Sequence, residues 1–203
     1  MNNKAMVSIV ALVTLAVISC ASLPETKIYS LDIHYDMTAQ GEARPDIPIV
    51  IVVDCPRYLS QAFMALRSSP YMLTILKFSK WQSPPSTMLA EELKKALYSI
   101  GYFKDIRIAG IVKPNVYSLK NNLTRFEQFN EGTSSYGLLS LDVDLLSPEG
   151  ENIYHNTYSK KIKLNSSDDY TALAAGMSAA LNDMLLEIRT ATASAIAANE
   201  SKK

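Results

Sequence analysis

One cysteine near the start of the chain has neighbours that suit it to covalent modification. Residues 15–20 read LAVISC, and they close an apolar run that begins at Ala5. This order matches a lipobox, because the small Ser19 gives a peptidase access to the backbone and the Cys20 thiol is the nucleophile that accepts a diacylglyceryl group. Cleavage between Ser19 and Cys20 leaves Cys20 as the first residue. It then carries diacylglyceryl and N-acyl chains, and we expect no other cofactor.

The apolar run favours a cleaved signal over a membrane span. Residues 5–18 are too few to cross a bilayer comfortably, since a transmembrane helix needs about 20 residues. Lys4 supplies the short positive region that precedes such a signal. Two other interpretations stay open, namely an ordinary secretory signal and an uncleaved N-terminal anchor. We expect residues 1–19 to be a lipoprotein signal peptide.

The charge balance and the cysteine count limit the classes of function. The sequence has 20 basic and 20 acidic residues, so that loss of Lys4 leaves 19 against 20. There is no basic excess for nucleic acid, and we predict no nucleic-acid partner. With Cys20 acylated, only Cys55 remains, and no internal disulfide can form. Cys55 ends an apolar strand, which favours a small core residue over a reactive thiol.

The two histidines do not form part of a recognisable catalytic or metal-binding motif. His34 and His155 both fall on predicted strands, and a surface position explains each more simply than a metal ligand or a general base. No Cys/His cluster has zinc spacing, and the chain has no phosphate-binding glycine loop and no nucleophile elbow. We therefore predict no catalytic residue and no metal site.

Two groups of acidic residues have structural explanations. Asp142 and Asp144 share one face of a predicted strand, where Lys161 and Lys163 on the next strand could form cross-strand charge pairs with them. Residues 168–169 are both Asp, and they suit the N-cap of a helix better than a calcium site.

Four large polar or aromatic residues are candidates for a partner interface. Arg57, Tyr58, Arg67 and Trp81 flank predicted loops or strand ends, and Arg, Tyr and Trp are the types that anchor protein interfaces. The alternative is that Tyr58 and Trp81 pack under the first helix while the arginines are solvated or paired.

Hydrophobic periodicity predicts an α+β fold with a mainly antiparallel sheet and two long amphipathic helices packed on one face. The first helix follows Pro84-Pro85, is capped by Ser83 or Ser86, and ends at Gly101. The second follows a cap at 166–169 and frays beyond Arg189. Strands are predicted at 27–35, 47–53, 71–81, 103–111, 116–126, 135–146 and 151–164, with a loop at 38–45 and a loop with a short helical turn at 57–69.

The domain organisation follows from these elements. We expect a signal peptide at 1–19, a lipidated N-terminus and tether at 20–26, one domain at 27–192, and a disordered tail at 193–203.

A series of motifs extends over nearly the whole mature chain. They are, in order, Cys20, Tyr29-Ser30-Leu31, 49–53, Pro56-Arg57-Tyr58-Leu59, Arg67-Ser68-Ser69-Pro70-Tyr71, Trp81, Pro84-Pro85, Met88-Leu89, and Leu93 through Gly101-Tyr102-Phe103, with weaker matches at Tyr117-Ser118-Leu119, at Phe126 and in the hairpin of the strands predicted at 135–146 and 151–164. In the order and spacing of these motifs the sequence resembles the ABC-type transport auxiliary lipoproteins, the paraquat-inducible lipoproteins among them. Cys55 departs from the small apolar residue that this family favours.

The resemblance implies a subunit without catalytic activity of its own. Its partners would be a permease, an ATPase and an MCE-domain (mammalian cell entry) protein, in a system that moves lipids or other hydrophobic molecules between envelope membranes. The subunit would be tethered by Cys20 and dock on the MCE component, with a homo-oligomeric ring as one arrangement. Ala21 follows Cys20 where enteric-type inner-membrane retention uses Asp, which favours the outer membrane.

Two other function classes stay open. One is a stand-alone envelope lipoprotein that binds lipid or assists outer-membrane assembly, and the other is a periplasmic enzyme.

Overall fold

The computed structural model describes residues 24–35, 47–103 and 105–202. Cys20, the predicted cleavage site and the predicted loop at 38–45 lie outside these ranges. The elements in chain order are β1 (Lys27–Tyr29), β2 (Pro48–Asp54), a 3₁₀ turn (Arg57–Ser60), β3 (Phe63–Ser69), β4 (Met72–Trp81), α1 (Pro85–Ser99), β5 (Asp105–Ile108), β6 (Tyr117–Glu131), β7 (Ser134–Leu146), β8 (Asn152–Leu164) and α2 (Tyr170–Glu200).

In the described ranges the eight strands form one sheet, and the α+β class is confirmed. The sheet is mixed, however, and this corrects the expectation of a mainly antiparallel one. The long β6–β7 and β7–β8 pairs are antiparallel, as is β3–β4, whereas β1–β4, β2–β5, β2–β6 and β3–β6 are parallel. Alternation of apolar residues indicates which face is buried and not the direction of the neighbouring strand. Parallel neighbours need a crossover, and α1 lies on the connection from β4 to β5.

Strand β6 organises this sheet because both of its edges are filled. β7 pairs with one edge along residues 118–131. The other edge is shared, since β2 lies beside residues 117–122 and β3 beside residues 128–129. The chain between β2 and β3 leaves the sheet in the 3₁₀ turn. The predicted helical turn is confirmed there, whereas β3 itself is a strand that the sequence did not predict.

The first predicted strand is wrong beyond its third residue. β1 ends at Tyr29, and the chain then crosses the helices instead of pairing with a strand. The Asp32 amide donates to the Ser178 hydroxyl of α2 at 3.0 Å, and the Tyr35 hydroxyl donates to the Glu92 carboxylate of α1 at 2.7 Å. Alternating residues can therefore reflect contact with helices as well as with a sheet.

Helix α1 covers the core with the predicted apolar face. Leu89, Leu93 and Leu97 are each at most 1% exposed. The predicted serine cap is wrong, because the N-cap is Pro84, which makes no side-chain hydrogen bond and is followed by Pro85 at the helix start. Beyond the other end of the helix, Gly101 has φ +63°, which confirms its predicted left-handed conformation.

Helix α2 is longer than predicted. The Asp169 side chain accepts a hydrogen bond from the Ala172 amide at 2.9 Å, which confirms the predicted N-terminal cap. The expected fraying after Arg189 is wrong, because the helix continues to Glu200. Ile196 is fully buried, and the Asn199 amide donates to the Tyr117 hydroxyl of β6 at 3.0 Å. The predicted buried stripe is confirmed for Leu173, Met177, Ala180, Leu181, Met184, Leu185 and Ile188.

The first prediction concerns the face of α1 that packs on the sheet. We expect Leu93→Asp to unfold the domain, with a loss of about 4 kcal/mol or more, because the change removes buried apolar contacts and places an unpaired charge among them. The adjacent change Lys94→Gln lies on the exposed face and should alter stability by no more than about 0.5 kcal/mol. Urea unfolding followed by circular dichroism measures both, and equal midpoints for the two variants would contradict the packing described here.

Candidate functional site

The predicted lipidation site, Cys20, lies outside the described residues, so that the structure does not test it. The other cysteine, Cys55, follows β2 directly, is half-buried, and packs against the core as a free thiol.

The His34 and His155 rings are exposed beside acidic groups. His34 Nδ1 lies 3.8 Å from an Asp32 carboxylate oxygen, outside any strand. His155 Nδ1 lies 2.8 Å from Asp144 Oδ1 on the neighbouring strand. Partial burial would raise the pKa of Asp144, but hydrogen bonds from His155 and Asn152 outweigh this effect and hold the pKa below its ordinary value.

The predicted charge pairs between the acidic and basic residues of the hairpin do not form. Asp142 instead accepts a hydrogen bond from the Thr157 hydroxyl at 2.9 Å. The register places Lys161 opposite Leu138, and its ammonium group lies 2.9 Å from the Glu131 carboxylate. In the described part of the chain, no three His, Cys, Asp or Glu side chains are grouped so that they could hold a metal ion.

Three of the four candidate interface residues have contacts within the domain. Trp81 is 2% exposed and packs edge-on against Phe126, with ring centroids 5.0 Å apart. It therefore belongs to the core rather than to a partner surface. Tyr58 and Arg67 both contact one buried carboxylate, described next. Arg57 is exposed at the start of the 3₁₀ turn, and a partner contact through Arg57 stays a prediction.

The buried carboxylate is that of Glu127 on β6. Its side chain is fully buried and lies where β2 and β3 meet along the edge of that strand. Arg67 donates from Nε at 2.6 Å and from Nη2 at 3.1 Å, one bond to each carboxylate oxygen, and Tyr58 donates its hydroxyl at 2.9 Å. The arrangement satisfies the charge with a bidentate arginine, the strongest common partner of a carboxylate.

Electrostatics around Glu127 fit a structural role. The hydrogen bond to Glu127 raises the pKa of Arg67, so that the guanidinium stays charged. Burial, followed by the adjacent Glu127 charge, raises the pKa of Tyr58 well above its usual range, so that the phenol stays neutral and donates. The sequence analysis missed Glu127, because a carboxylate in an alternating strand is expected to face solvent. The signal available in the sequence for a long-range acidic partner was Arg67, which lies in a stretch without Asp or Glu.

An apolar groove lies beside β5, the strand at one end of the strand order. It has a volume of about 630 Å³, within the range of small-molecule sites. Val50 and Ile108 contribute apolar surface from β2 and β5, and Val116 contributes from the segment that leads into β6. Lys113 adds a cation at the rim, while Arg107 pairs with Asp105. The groove can hold an apolar chain, and the sequence analysis did not predict it.

The comparison with protein families decides the assignment. A family model described as the ABC-type transport auxiliary lipoprotein component matches residues 29–189. The chain belongs to this family. Membership of a lipoprotein family indicates a location in the cell envelope, and the family description implies a transport system as partner. The matched residues run from the end of β1 to the middle of α2, and so include the Glu127 cluster and the groove.

Solved structures show the same fold at low sequence identity. A crystal structure of a Xanthomonas campestris protein has 18% identity and a TM-score of 0.70, and covers 87% of this chain and 100% of that protein. A second crystal structure, of an uncharacterised protein, has 17% identity and a TM-score of 0.59, and covers 85% of this chain and 99% of that protein. No curated protein matches the chain in sequence. In the described ranges of this auxiliary lipoprotein, no helix has the length and apolarity needed to cross a bilayer.

The second prediction concerns the Glu127 cluster. We expect Glu127→Ala to reduce the free energy of unfolding by about 3 kcal/mol, because Arg67 and Tyr58 lose their partner in a site with little solvent. Glu127→Gln should cost less, since the amide oxygen still accepts one hydrogen bond. The control is Glu131→Ala on the same strand, where the ion pair with Lys161 is exposed and should contribute less than about 1 kcal/mol. Urea unfolding that gives equal losses for the two alanine variants would contradict a structural role for Glu127.

The third prediction concerns alkaline pH. Tyr35 and Tyr58 have raised pKa values in the folded state, and burial with a hydrogen bond to Tyr158 raises the pKa of Tyr154 to about 12. A raised pKa stabilises the fold below the unfolded value of about 10, and this stability is lost as the pH rises through the folded value. We therefore expect the melting temperature to decrease above about pH 10.

Two phenylalanine variants make this expectation specific. Tyr58→Phe should melt lower near neutral pH, because the bond to Glu127 is lost, yet it should decrease less steeply above pH 10. Tyr71→Phe removes a phenol that is 98% exposed and should keep the wild-type slope. Identical slopes for all three proteins would show that Tyr58 ionises as easily in the folded state as in the unfolded state.

Proposed function

We propose that this protein is the membrane-anchored auxiliary subunit of an MCE-linked ABC transport system, which moves lipids or other hydrophobic molecules between envelope membranes. The observation that carries the proposal is the family match over residues 29–189, which extends through every strand from β2 to β8, through α1 and into α2. The chain itself catalyses no reaction, and ATP hydrolysis belongs to another subunit.

The proposed anchor is the lipid on Cys20. Cys20 precedes β1 by only a short tether, which leaves the domain close to the membrane on its periplasmic side. Acyl chains add about 0.8 kcal/mol for each buried methylene, so that two or three chains hold the protein durably. We place it at the outer membrane, because Ala21 and not Asp follows Cys20.

The proposed partner is the MCE-domain protein, to which the subunit docks with its permease and ATPase as further components. Arg57 is the exposed member of the residues that the sequence analysis put forward for this contact. A ring of several copies around the MCE protein would give repeated contacts of this kind, each raising the overall affinity.

A second candidate function is favoured by one observation. The apolar groove beside β5 suits a hydrophobic chain, as expected of a stand-alone envelope lipoprotein that binds lipid. Under this alternative the protein would act without a permease and an ATPase.

The fourth prediction separates these functions. Purification of the tagged full-length lipoprotein from native membranes in mild detergent should recover an MCE-domain protein with its permease and ATPase, identified by mass spectrometry. The mass of the intact complex gives the copy number. Cys20→Ala should leave a folded domain that no longer sediments with membranes, whereas Cys55→Ala should remain bound because Cys20 is intact. Recovery of the lipoprotein alone, or with bound lipid only, would reject the transporter proposal and support the second candidate.

A further inference from the structure

The hairpin formed by β3 and β4, which we call the basic hairpin (Phe63–Trp81), combines cationic residues with exposed apolar side chains. No Asp or Glu occurs anywhere in residues 55–90, a stretch that holds four cationic residues. Arg67 is paired with Glu127, but Lys77 is exposed and forms no ion pair with any acidic group in the described ranges. Lys80 lies over the Phe63 ring, 5.1 Å from its centroid. The surface therefore presents uncompensated positive charge.

Large apolar side chains are exposed on the same hairpin. Tyr71 at its tip is 98% exposed, and Met72, Ile75 and Phe78 follow along β4 at 54%, 40% and 42%. Ile28 on the adjoining β1, opposite Lys80, is 69% exposed. Of the ten large apolar side chains that are exposed in the described ranges, these are five. Such a concentration on a folded domain marks a surface that contacts a partner or a membrane.

The backbone of β4 is open along the same stretch. β1 pairs only with residues 79–81, and no other strand in the described chain pairs with the outer edge of residues 72–78. Proteins usually protect such an edge with charge, proline or a covering element. At the headgroup level of a membrane, water and lipid headgroups can satisfy these backbone groups, whereas the hydrocarbon interior cannot. The geometry therefore allows side-chain insertion at the interface and no deeper position.

The position of the tether determines which surface lies near the membrane. Lys27 begins β1 seven residues after Cys20, so that the acylated residue lies at most about 25 Å from this strand. β1 is the direct neighbour of β4, and the stretch of β4 from Ser79 to Met72 is of similar length, about 23 Å. A membrane that holds the acyl chains is therefore within reach of the whole basic hairpin.

We propose that the basic hairpin lies on the anionic phospholipid surface to which the chain is anchored. Tyr71 and Met72 enter the headgroup region with the other exposed apolar side chains, and Lys77 and Lys80 face lipid phosphates. Tyrosine suits this level because its ring is apolar and its hydroxyl is polar. Charge complementarity favours an anionic lipid surface over a neutral one. The inference rests on the lipid anchor of the proposed function and adds a second membrane contact.

The test measures the depth of the hairpin tip in full-length lipidated protein. The reporter is an environment-sensitive fluorophore on Tyr71→Cys in a Cys55→Ala background, where Cys20 is acylated and does not react. The matched control carries the fluorophore on Glu151→Cys, an exposed position in the turn between β7 and β8. Both proteins are reconstituted into vesicles of phosphatidylglycerol with phosphatidylcholine, or of phosphatidylcholine alone, and the quencher is a brominated phospholipid.

We expect a blue shift and quenching at position 71 in the vesicles that contain phosphatidylglycerol, a weaker effect in phosphatidylcholine alone, and neither at position 151. Lys77→Glu should abolish most of the shift, whereas Lys163→Glu, an exposed lysine on β8, should leave it unchanged. Added salt should weaken the contact, because the lysine–phosphate attraction is screened.

Three results would overturn the inference, and they differ from one another. Flotation of the protein with vesicles while position 71 stays in water would reject the hairpin contact and leave the anchor intact. Failure to float would reject the anchor and the hairpin contact together. A shift at position 71 that requires added MCE-domain protein, with no response to lipid composition, would identify the hairpin as a protein-docking surface instead.

Discussion

The arrangement of the sheet depends on the shared edge of β6. β7 fills one edge of this strand completely, so that β2 and β3 must divide the other. The chain leaves the sheet between them, and Glu127 lies at this junction with its carboxylate buried. An isolated buried charge is too costly to persist, and the carboxylate therefore requires Arg67 from β3 and Tyr58 from the 3₁₀ turn. One ion pair thus joins β3 to β6, directly beside residues 128–129, where these two strands pair.

Sequence alone predicts the elements whose signals are local. The β7–β8 hairpin follows from alternation and from the turn before Gly150, which has φ +89° and donates its amide to the Ser147 carbonyl at 2.9 Å. Helix α1 follows from its apolar period and from Gly101. By contrast, β3 has no clear alternation, and it becomes a strand because β4 and β6 lie on its two sides. The direction of neighbouring strands also has no local signal, and neither does a salt bridge between residues 60 positions apart.

The C-terminal half of α2 shows how tertiary contacts override composition. Its alanine-rich sequence predicts fraying, but Ile196 is buried and Tyr117 contacts both Asn199 and Glu200. Nearer its N-terminus, a small residue lets the helix lie close to the sheet. A Cβ atom on Gly176 would lie 2.8 Å from Ile162 Cγ2, closer than real contacts allow. Neither the long-range bond nor the close approach can be inferred from helical periodicity, and the contacts of Ile196 and Asn199 hold the last turns of the helix against the sheet.

The strand order also separates the proposed membrane tether from the apolar groove. β1, next to the tether, and β5, beside the apolar groove, are the two ends of the strand path through β6. The proposed acyl chains on Cys20 would bind the membrane strongly by themselves, so that a second contact through the basic hairpin would add little to retention. Its effect would be on rotation, because an anchor at one point limits the distance from the membrane and does not set the orientation of the domain. A domain held at both points would present its groove end away from the bilayer, and a partner would then lose less rotational freedom on binding.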